Sequence, residues 1–157
     1  MVKPAILIGL PIKNHLGYVK MVLSKRNEKS SEAFTHKIPG VHPTPLELWY
    51  HGTNNLYRGA HHMIAPDSEF TSVTQNKPNE EDKVKVAIEL YEEAVSLFMN
   101  NLDKLNSEDL EKTLVSPISG NEIILSSWIA TNVMHTLHHV AQALRLQGII
   151  CNEELEF

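Results

Sequence analysis

Apolar residues recur every three or four positions over four long stretches of the chain, a spacing typical of amphipathic helices. The first stretch predicts a helix from about Ile12 to Lys25, with Pro11 in its first turn. The second predicts a helix that is capped by Thr44 and runs from Pro45 to about Met63 or Ile64. The pattern leaves open whether residues 4–10 add a further turn to the first helix.

The second half of the chain repeats this alternation of helix and connection. Asn79 to Asp82 supply a cap and an acidic first turn for a third helix that runs to about Leu105. A turn at Ser119-Gly120-Asn121 then precedes a fourth helix from about Glu122 to Gln147. These boundaries follow from where the apolar period begins and ends.

Two long segments between the helices are polar and contain prolines. The segment from Asn27 to Pro45 predicts a connection with one short helical turn around Glu32, and the segment from Pro66 to Glu80 predicts a second connection. Four long helices with two such crossings predict an all-α fold, a four-helix bundle with long crossover connections. A length of 157 residues with 42% hydrophobic content fits one domain, covering residues 1–157.

Charge and cysteine content narrow the classes of function. The formal net charge is −5 and the longest basic block is Lys25-Arg26, so a nucleic-acid partner is not expected. Cys151 is the only cysteine, which excludes an intramolecular disulfide and a cysteine metal site and favours a reducing cytoplasm. The apolar run within Met1 to Ile12 is short for an export signal, and no segment reaches the length of a membrane span.

The fourth helix contains unusual chemistry for an apolar segment. His135 and His139 are four residues apart, so their rings lie one turn apart on one face and can point at a common atom. Asn132 and Gln142 bracket them, and His138 lies to one side, where we expect it to flank a site rather than bind in it. Buried imidazoles and amides need partners, and a bound cation would supply one; ordinary hydrogen bonding within the core is the alternative.

These residues resemble the final-helix signature of the DinB/YfiT-like family. The run His135-x-x-His138-His139-x-x-Gln142 is similar to that family's His-x-x-His-His-Arg-Gly-Gln segment, with Val140-Ala141 in place of Arg-Gly. The likeness covers about residues 12–150, and His51 in Leu48-Trp-Tyr-His51-Gly is similar to the family's other histidine position. The departure at Val140-Ala141 puts any role of the family's arginine in doubt.

The resemblance implies a divalent metal bound by His51, His135 and His139, with the remaining positions held by water or substrate. Zinc or nickel is the first expectation, and iron, cobalt or manganese are the alternatives, because imidazole alone does not select among them. Glu47, Asn132 and Gln142 are candidates for orienting the ligands or a water, although Glu47 also fits a solvated first-turn charge.

The function expected from such a site is a metal-dependent transfer of a low-molecular-weight thiol to a small electrophile, or a hydrolysis at the same ion. The alternative is a non-enzymatic protein that uses the metal for structure, sensing or a stress response. A di-iron carboxylate bundle is excluded because the chain has no Glu-x-x-His pair. The resemblance also implies a homodimer.

Overall fold

The computed structural model describes residues 4–24, 29–37, 39–40, 43–74 and 83–150. These residues are mostly helical, with six helices and one small two-stranded antiparallel sheet. The elements in chain order are α1 (Pro4–Ser24), α2 (Lys29–Thr35), α3 (Pro45–Ile64), α4 (Lys83–Leu102), α5 (Ser107–Leu110), β1 (Thr113–Val115), β2 (Glu122–Ile124) and α6 (Leu125–Ile150).

Helix α3 lies at the centre of the fold. It packs most extensively against α6 and then against α4, while α1 packs mainly against α4. Trp49 and Leu56 on α3 are fully buried, and the Trp49 Nε1–H donates a hydrogen bond of 2.8 Å to the Ala87 carbonyl on α4. On the same pair of helices, Asn101 Nδ2 donates to the Ala60 carbonyl at 2.9 Å. These buried polar contacts fix α4 against α3.

The first helix is longer than predicted. It begins at Pro4, so residues 4–10, which the sequence pattern left open, belong to the helix, and the predicted start near Ile12 with Pro11 in the first turn is wrong. Pro4 occupies the first helical position instead, where its missing N–H costs nothing. Pro11 lies inside the helix, where its missing N–H removes one backbone hydrogen bond.

A β-hairpin precedes the last helix, and the sequence pattern missed it. Residues Glu122 to Ile124 pair with Thr113 to Val115, so the prediction that the fourth helix begins at Glu122 is wrong. Leu114 is buried and pairs with the half-buried Ile123, and these two residues form the inward face of the hairpin. The predicted turn at Gly120 is confirmed, with a φ of 70° that favours glycine.

The connection between the first two long helices contains a short helix. The predicted helical turn around Glu32 is confirmed and extends to the seven residues of α2.

The third long helix ends at Leu102 rather than Leu105. Its predicted cap at Asn79 to Asp82 lies outside the described residues, as does Cys151. Within the described ranges, none of the helices has both the length and the apolar character needed to cross a membrane.

Candidate metal centre

His51 lies in the second turn of helix α3, and a capping box fixes the residue at which this helix begins. The Thr44 hydroxyl accepts from the Glu47 backbone N–H at 3.2 Å, and the Thr44 backbone N–H donates to the Glu47 carboxylate at 2.7 Å. A capping box of this kind fixes where the helical phase begins. His51 follows one turn after Glu47, and its side chain is exposed.

The other two histidines come from one turn of α6. His135 is exposed and His139 is half-buried, at the edge of the face that α6 packs against α3. Their ring centroids are 4.5 Å apart, as the predicted spacing of four residues requires. Toward the N-terminus of α6, Asn132 and Trp128 are buried, so the stripe of polar positions leaves the core between Asn132 and His135.

Two glycines of α3 allow α6 to come close. A Cβ on Gly52 would lie 3.1 Å from the Thr136 carbonyl oxygen and 3.3 Å from the His139 Cβ. A Cβ on Gly59 would lie 3.0 Å from the Asn132 Cβ. Glycine in a helix interior costs roughly 1 kcal/mol relative to alanine, so two glycines facing one neighbour indicate a close approach of the backbones. This approach brings His51 to the histidines of α6.

Hydrogen bonds between the two helices hold this approach. The Thr136 hydroxyl lies 3.1 Å from the Gly52 carbonyl and 2.8 Å from the Asn132 carbonyl, and can donate to either. Asn55 Nδ2 donates to the same Asn132 carbonyl at 3.0 Å. Thr136 and Asn55 are buried, where such bonds are shielded from water. The histidines therefore stand on a rigid contact between two long helices.

The three imidazoles converge on one point. One nitrogen from each of His51, His135 and His139 lies within 4.8 Å of the other two, and the Nε2 atoms of His51 and His135 are 2.9 Å apart. Two nitrogens bound to one zinc ion, each about 2.0–2.1 Å away, are separated by at most about 4.2 Å. The three nitrogens therefore lie close enough to bind a metal.

The site also favours the protonation state that binds metals. Burial lowers the pKa of His51, and the neighbouring His139 and Arg58 lower it further. Burial likewise lowers the pKa of His135, with added repulsion from His139 and His51. The pKa of His139 is lowered mainly by burial, against the effect of its bond to Gln142. Neutral imidazole is the form that ligates a metal, and these shifts keep the rings neutral at physiological pH.

Gln142 holds one of the three rings in place. Its Oε1 lies 2.9 Å from the His139 Nδ1, so Nδ1 carries the proton and donates. That tautomer leaves Nε2 of His139 as the free ligand atom. Fixing the tautomer through the second ring nitrogen is the usual arrangement around a metal-bound histidine. Gln142 therefore lies beside the histidine group, where it can orient the ring of His139.

The remaining predicted residues lie around the group, not within it. Asn132 is buried in the contact between α3 and α6, and its Nδ2 donates to the Trp128 carbonyl at 2.8 Å. The Glu47 carboxylate accepts from the Thr44 backbone in the capping box. His138 is exposed, with its ring centroid 5.2 Å from that of His139. The structure brings together the three predicted ligands and Gln142, and it assigns Asn132 and Glu47 contacts within the scaffold.

Sequence reasoning missed the residues that bring the helices together. Gly52, Gly59 and Thr136 were not candidates, although they set the distance between His51 and the histidines of α6. A signal was present, since two glycines seven residues apart inside a strongly helical pattern require a reason. Their partner on α6 was not visible in the sequence, because the contact depends on how the two helices pack.

Comparison of the chain with protein-family models, with curated proteins and with the solved structures returns no match. The functional argument for this protein therefore depends on its own residues and their geometry.

Proposed function

We propose that this protein binds a divalent metal ion through His51, His135 and His139 and uses it to act on a small molecule, as a thiol transferase or a hydrolase. The convergence of the three nitrogens carries the proposal. The fold is proposed to be a DinB-like four-helix bundle, built from α1, α3, α4 and α6. What supports this is the contact of α3 with both α4 and α6, together with the sequence likeness around His135 to Gln142.

The composition of the ligand set favours an open site. Among the described residues, no carboxylate or thiol joins the three histidines. Structural zinc sites have four protein ligands, whereas catalytic sites have three and leave a position for water or substrate. A bound divalent ion at such a position polarises a water, a thiol or a carbonyl group, and so provides a nucleophile or an electrophile at neutral pH.

The protein's own residues have separate tasks in this proposal. His51, His135 and His139 hold the ion, and the exposure of His51 and His135 leaves it accessible from solvent. Gln142 fixes the ring of His139. Arg58, two turns after His51, places a positive charge near enough to lower the pKa of His51 and His135. An anionic substrate is favoured over a cationic one by that charge.

Metal content is the first test. Tag-free protein that has never contacted a nickel column is purified, and its metals are measured by elemental mass spectrometry. We expect about one ion per chain in the wild type and a loss in His51→Ala, His135→Ala and His139→Ala, each by a factor of roughly 100 or more in affinity. His61→Ala, on the same helix as His51, is the matched control and keeps the metal. A wild-type protein that is purified without metal and takes up none of zinc, nickel, iron, cobalt and manganese would exclude the proposal.

Turnover is the second test, on the loaded protein. Transfer of cysteine to chlorodinitrobenzene and hydrolysis of nitrophenyl acetate are followed by absorbance, with His135→Ala as the inactive reference. Activity that depends on His135 supports an enzyme. Stoichiometric metal binding without turnover of either class favours the non-enzymatic alternative. The homodimer implied by the sequence likeness is tested on the same material by light scattering after gel filtration.

A further inference from the structure

A pocket of about 600 Å³ opens directly beside the histidine group. Two candidate site residues, His139 and Gln142, form one end of its wall. The wall continues along α6 with Leu146 and Ile149 and includes Leu48 from α3, which lies one turn before His51. A volume of this size is within the range of small-molecule sites, about 300–1,000 Å³. The pocket is therefore continuous with the proposed metal centre and large enough for a substrate.

The chemistry of the wall is apolar with one positive charge. Leu48, Leu146 and Ile149 contribute hydrocarbon surface, and Ile149 is 55% exposed although it is a large apolar residue. Arg145 is exposed and is the only residue with a formal charge among those that line the pocket. Within the part of the chain that the structure describes, no ion pair or hydrogen bond engages its guanidinium. A guanidinium beside an apolar wall suits a carboxylate that is attached to a hydrocarbon chain.

The spacing along α6 sets the length of such a ligand. Arg145 follows His139 by six residues, which corresponds to about 9 Å along a helix. An anion held by Arg145 therefore has room for several methylene groups before its other end reaches the histidines. A two- or three-carbon acid is too short to engage both ends of the pocket.

We propose that this pocket binds a small amphipathic organic anion, with its carboxylate at Arg145, its hydrocarbon chain against Leu48 and Leu146, and its far end at the histidine group. This inference rests on the proposed function for the identity of the reacting end, but the binding itself needs no metal. It names the substrate class of the proposed site as a medium-chain carboxylate.

The test is isothermal titration of the purified protein with butyrate, hexanoate and octanoate, and with octanol as the uncharged counterpart of octanoate. Each titration is repeated after the metal has been removed with a chelator, because a carboxylate can also bind a metal directly. We expect the affinity to rise two- to fourfold for each added methylene group, in both forms of the protein. We also expect octanoate to bind more tightly than octanol, with a difference that shrinks at high salt.

Substitutions separate the two ends of the pocket. Arg145→Gln is expected to weaken octanoate roughly fivefold and to leave octanol unchanged. Leu146→Ser is expected to weaken octanoate more than butyrate. Lys13→Gln removes one positive charge on α1, outside the pocket, and Leu97→Ser makes the leucine change at an exposed residue of α4, outside the pocket. Both controls should bind octanoate as the wild type does.

The results for the pocket and for the metal are independent. If affinity does not rise with chain length, or if Arg145→Gln leaves octanoate binding intact in the metal-free protein, the pocket proposal is overturned, whatever the metal content shows. If octanoate binds as expected but the wild type holds no metal, the pocket proposal stands and the metal-dependent function fails.

Discussion

Two groups of histidines include residues of helix α3: His61 and His62, which are both on that helix, and His51, which faces two histidines of α6. The two groups differ in what their rings contact. His61 and His62 are adjacent in sequence, with ring centroids 5.1 Å apart, which is as close as the rings of His51 and His135. Yet His61 Nε2 is 2.6 Å from the Ser68 hydroxyl, and the buried ring of His62 packs edge-on against Trp128 at 5.9 Å. The rings of His61 and His62 are close to each other, but each contacts a different part of the fold.

At the other group, the rings come from different helices and their nitrogens point inward. His51 approaches from α3, while His135 and His139 approach from α6, and the ligand atoms of all three lie within 4.8 Å. The number of histidines and the distance between rings therefore do not distinguish a metal site from a packing contact. The convergence of one nitrogen from each ring across the contact between α3 and α6 is what would allow a single ion to bind all three.

The largest contrast in stability is expected between His62→Ala and His51→Ala. His62 is 3% exposed, so its removal leaves a cavity against Trp128 and costs about 2–4 kcal/mol. His51 is exposed and is repelled by its neighbours when charged, so the metal-free His51→Ala protein should be within about 0.5 kcal/mol of the wild type. Urea unfolding of the metal-free proteins measures both.

The metal content of the same variants completes the comparison. His62→Ala, measured at a temperature where it is folded, should keep its metal, whereas His51→Ala should lose it. Loss of metal from folded His62→Ala would mean that the two histidine groups are coupled and that their separation into scaffold and site is wrong.

The glycine contact offers the next largest effect. In Gly52→Ala the added methyl group meets the Thr136 carbonyl at 3.1 Å, so α6 must move away or the backbone must shift, at a cost of about 1–3 kcal/mol. We expect weaker metal binding as well, because His51 and His139 separate. Gly17→Ala on α1 is the matched control, since a Cβ there meets nothing within 4 Å and alanine favours the helix by roughly 0.5–1 kcal/mol. Equal effects of the two substitutions would contradict the close approach.

These contacts show what the sequence could and could not predict. The spacing of His135 and His139 is a local property of one helix, so the pattern predicted it directly. The capping box at Thr44 and Glu47 was also local, and it fixed the start of α3 where the sequence placed it. The depth at which α6 packs into α3 is not local, and the roles of Gly52 and Thr136 follow from it.

The same distinction explains the errors in the fold. The hairpin of β1 and β2 exists because Glu122 to Ile124 find a partner strand, which no helical period reveals. Asn132 shares a stripe with His135 on a helical wheel, but Asn132 is buried in the contact with α3 and His135 is exposed. Periodicity assigns a face, and only packing decides where that face meets solvent.

Gln142→Ala sharpens the comparison within the site itself. Removing the bond to His139 Nδ1 frees the tautomer and the ring, so metal affinity should fall by roughly tenfold, less than for loss of a ligand. Ser68→Ala removes the corresponding partner of His61 and should leave metal affinity unchanged. Competition with a fluorescent zinc chelator measures both. Equal affinities for Gln142→Ala and the wild type would mean that Gln142 only touches the ring.

The smallest effect is the dependence on pH of the stability of the metal-free protein. Burial and mutual repulsion lower the pKa of His51, His135 and His139 in the folded state, so the unfolded chain binds more protons once the pH falls below the ordinary histidine value of about 6.5. Stability from these groups is therefore full above that pH and is lost as the pH falls toward their folded-state pKa values. Because the rings are partly exposed, the loss is modest.

A triple substitution separates the contribution of the three histidines to the acid sensitivity of the protein from the contribution of its other groups. Urea unfolding at pH values on either side of about 6.5 should show a smaller loss of stability on acidification for the variant with alanine at positions 51, 135 and 139 than for the metal-free wild type. Saturating zinc should make the loss for the wild type steeper, because protons then compete with the ion for the same nitrogens. If zinc leaves that slope unchanged, the ion does not bind at these imidazoles, and their convergence is a packing contact like that of His61 and His62.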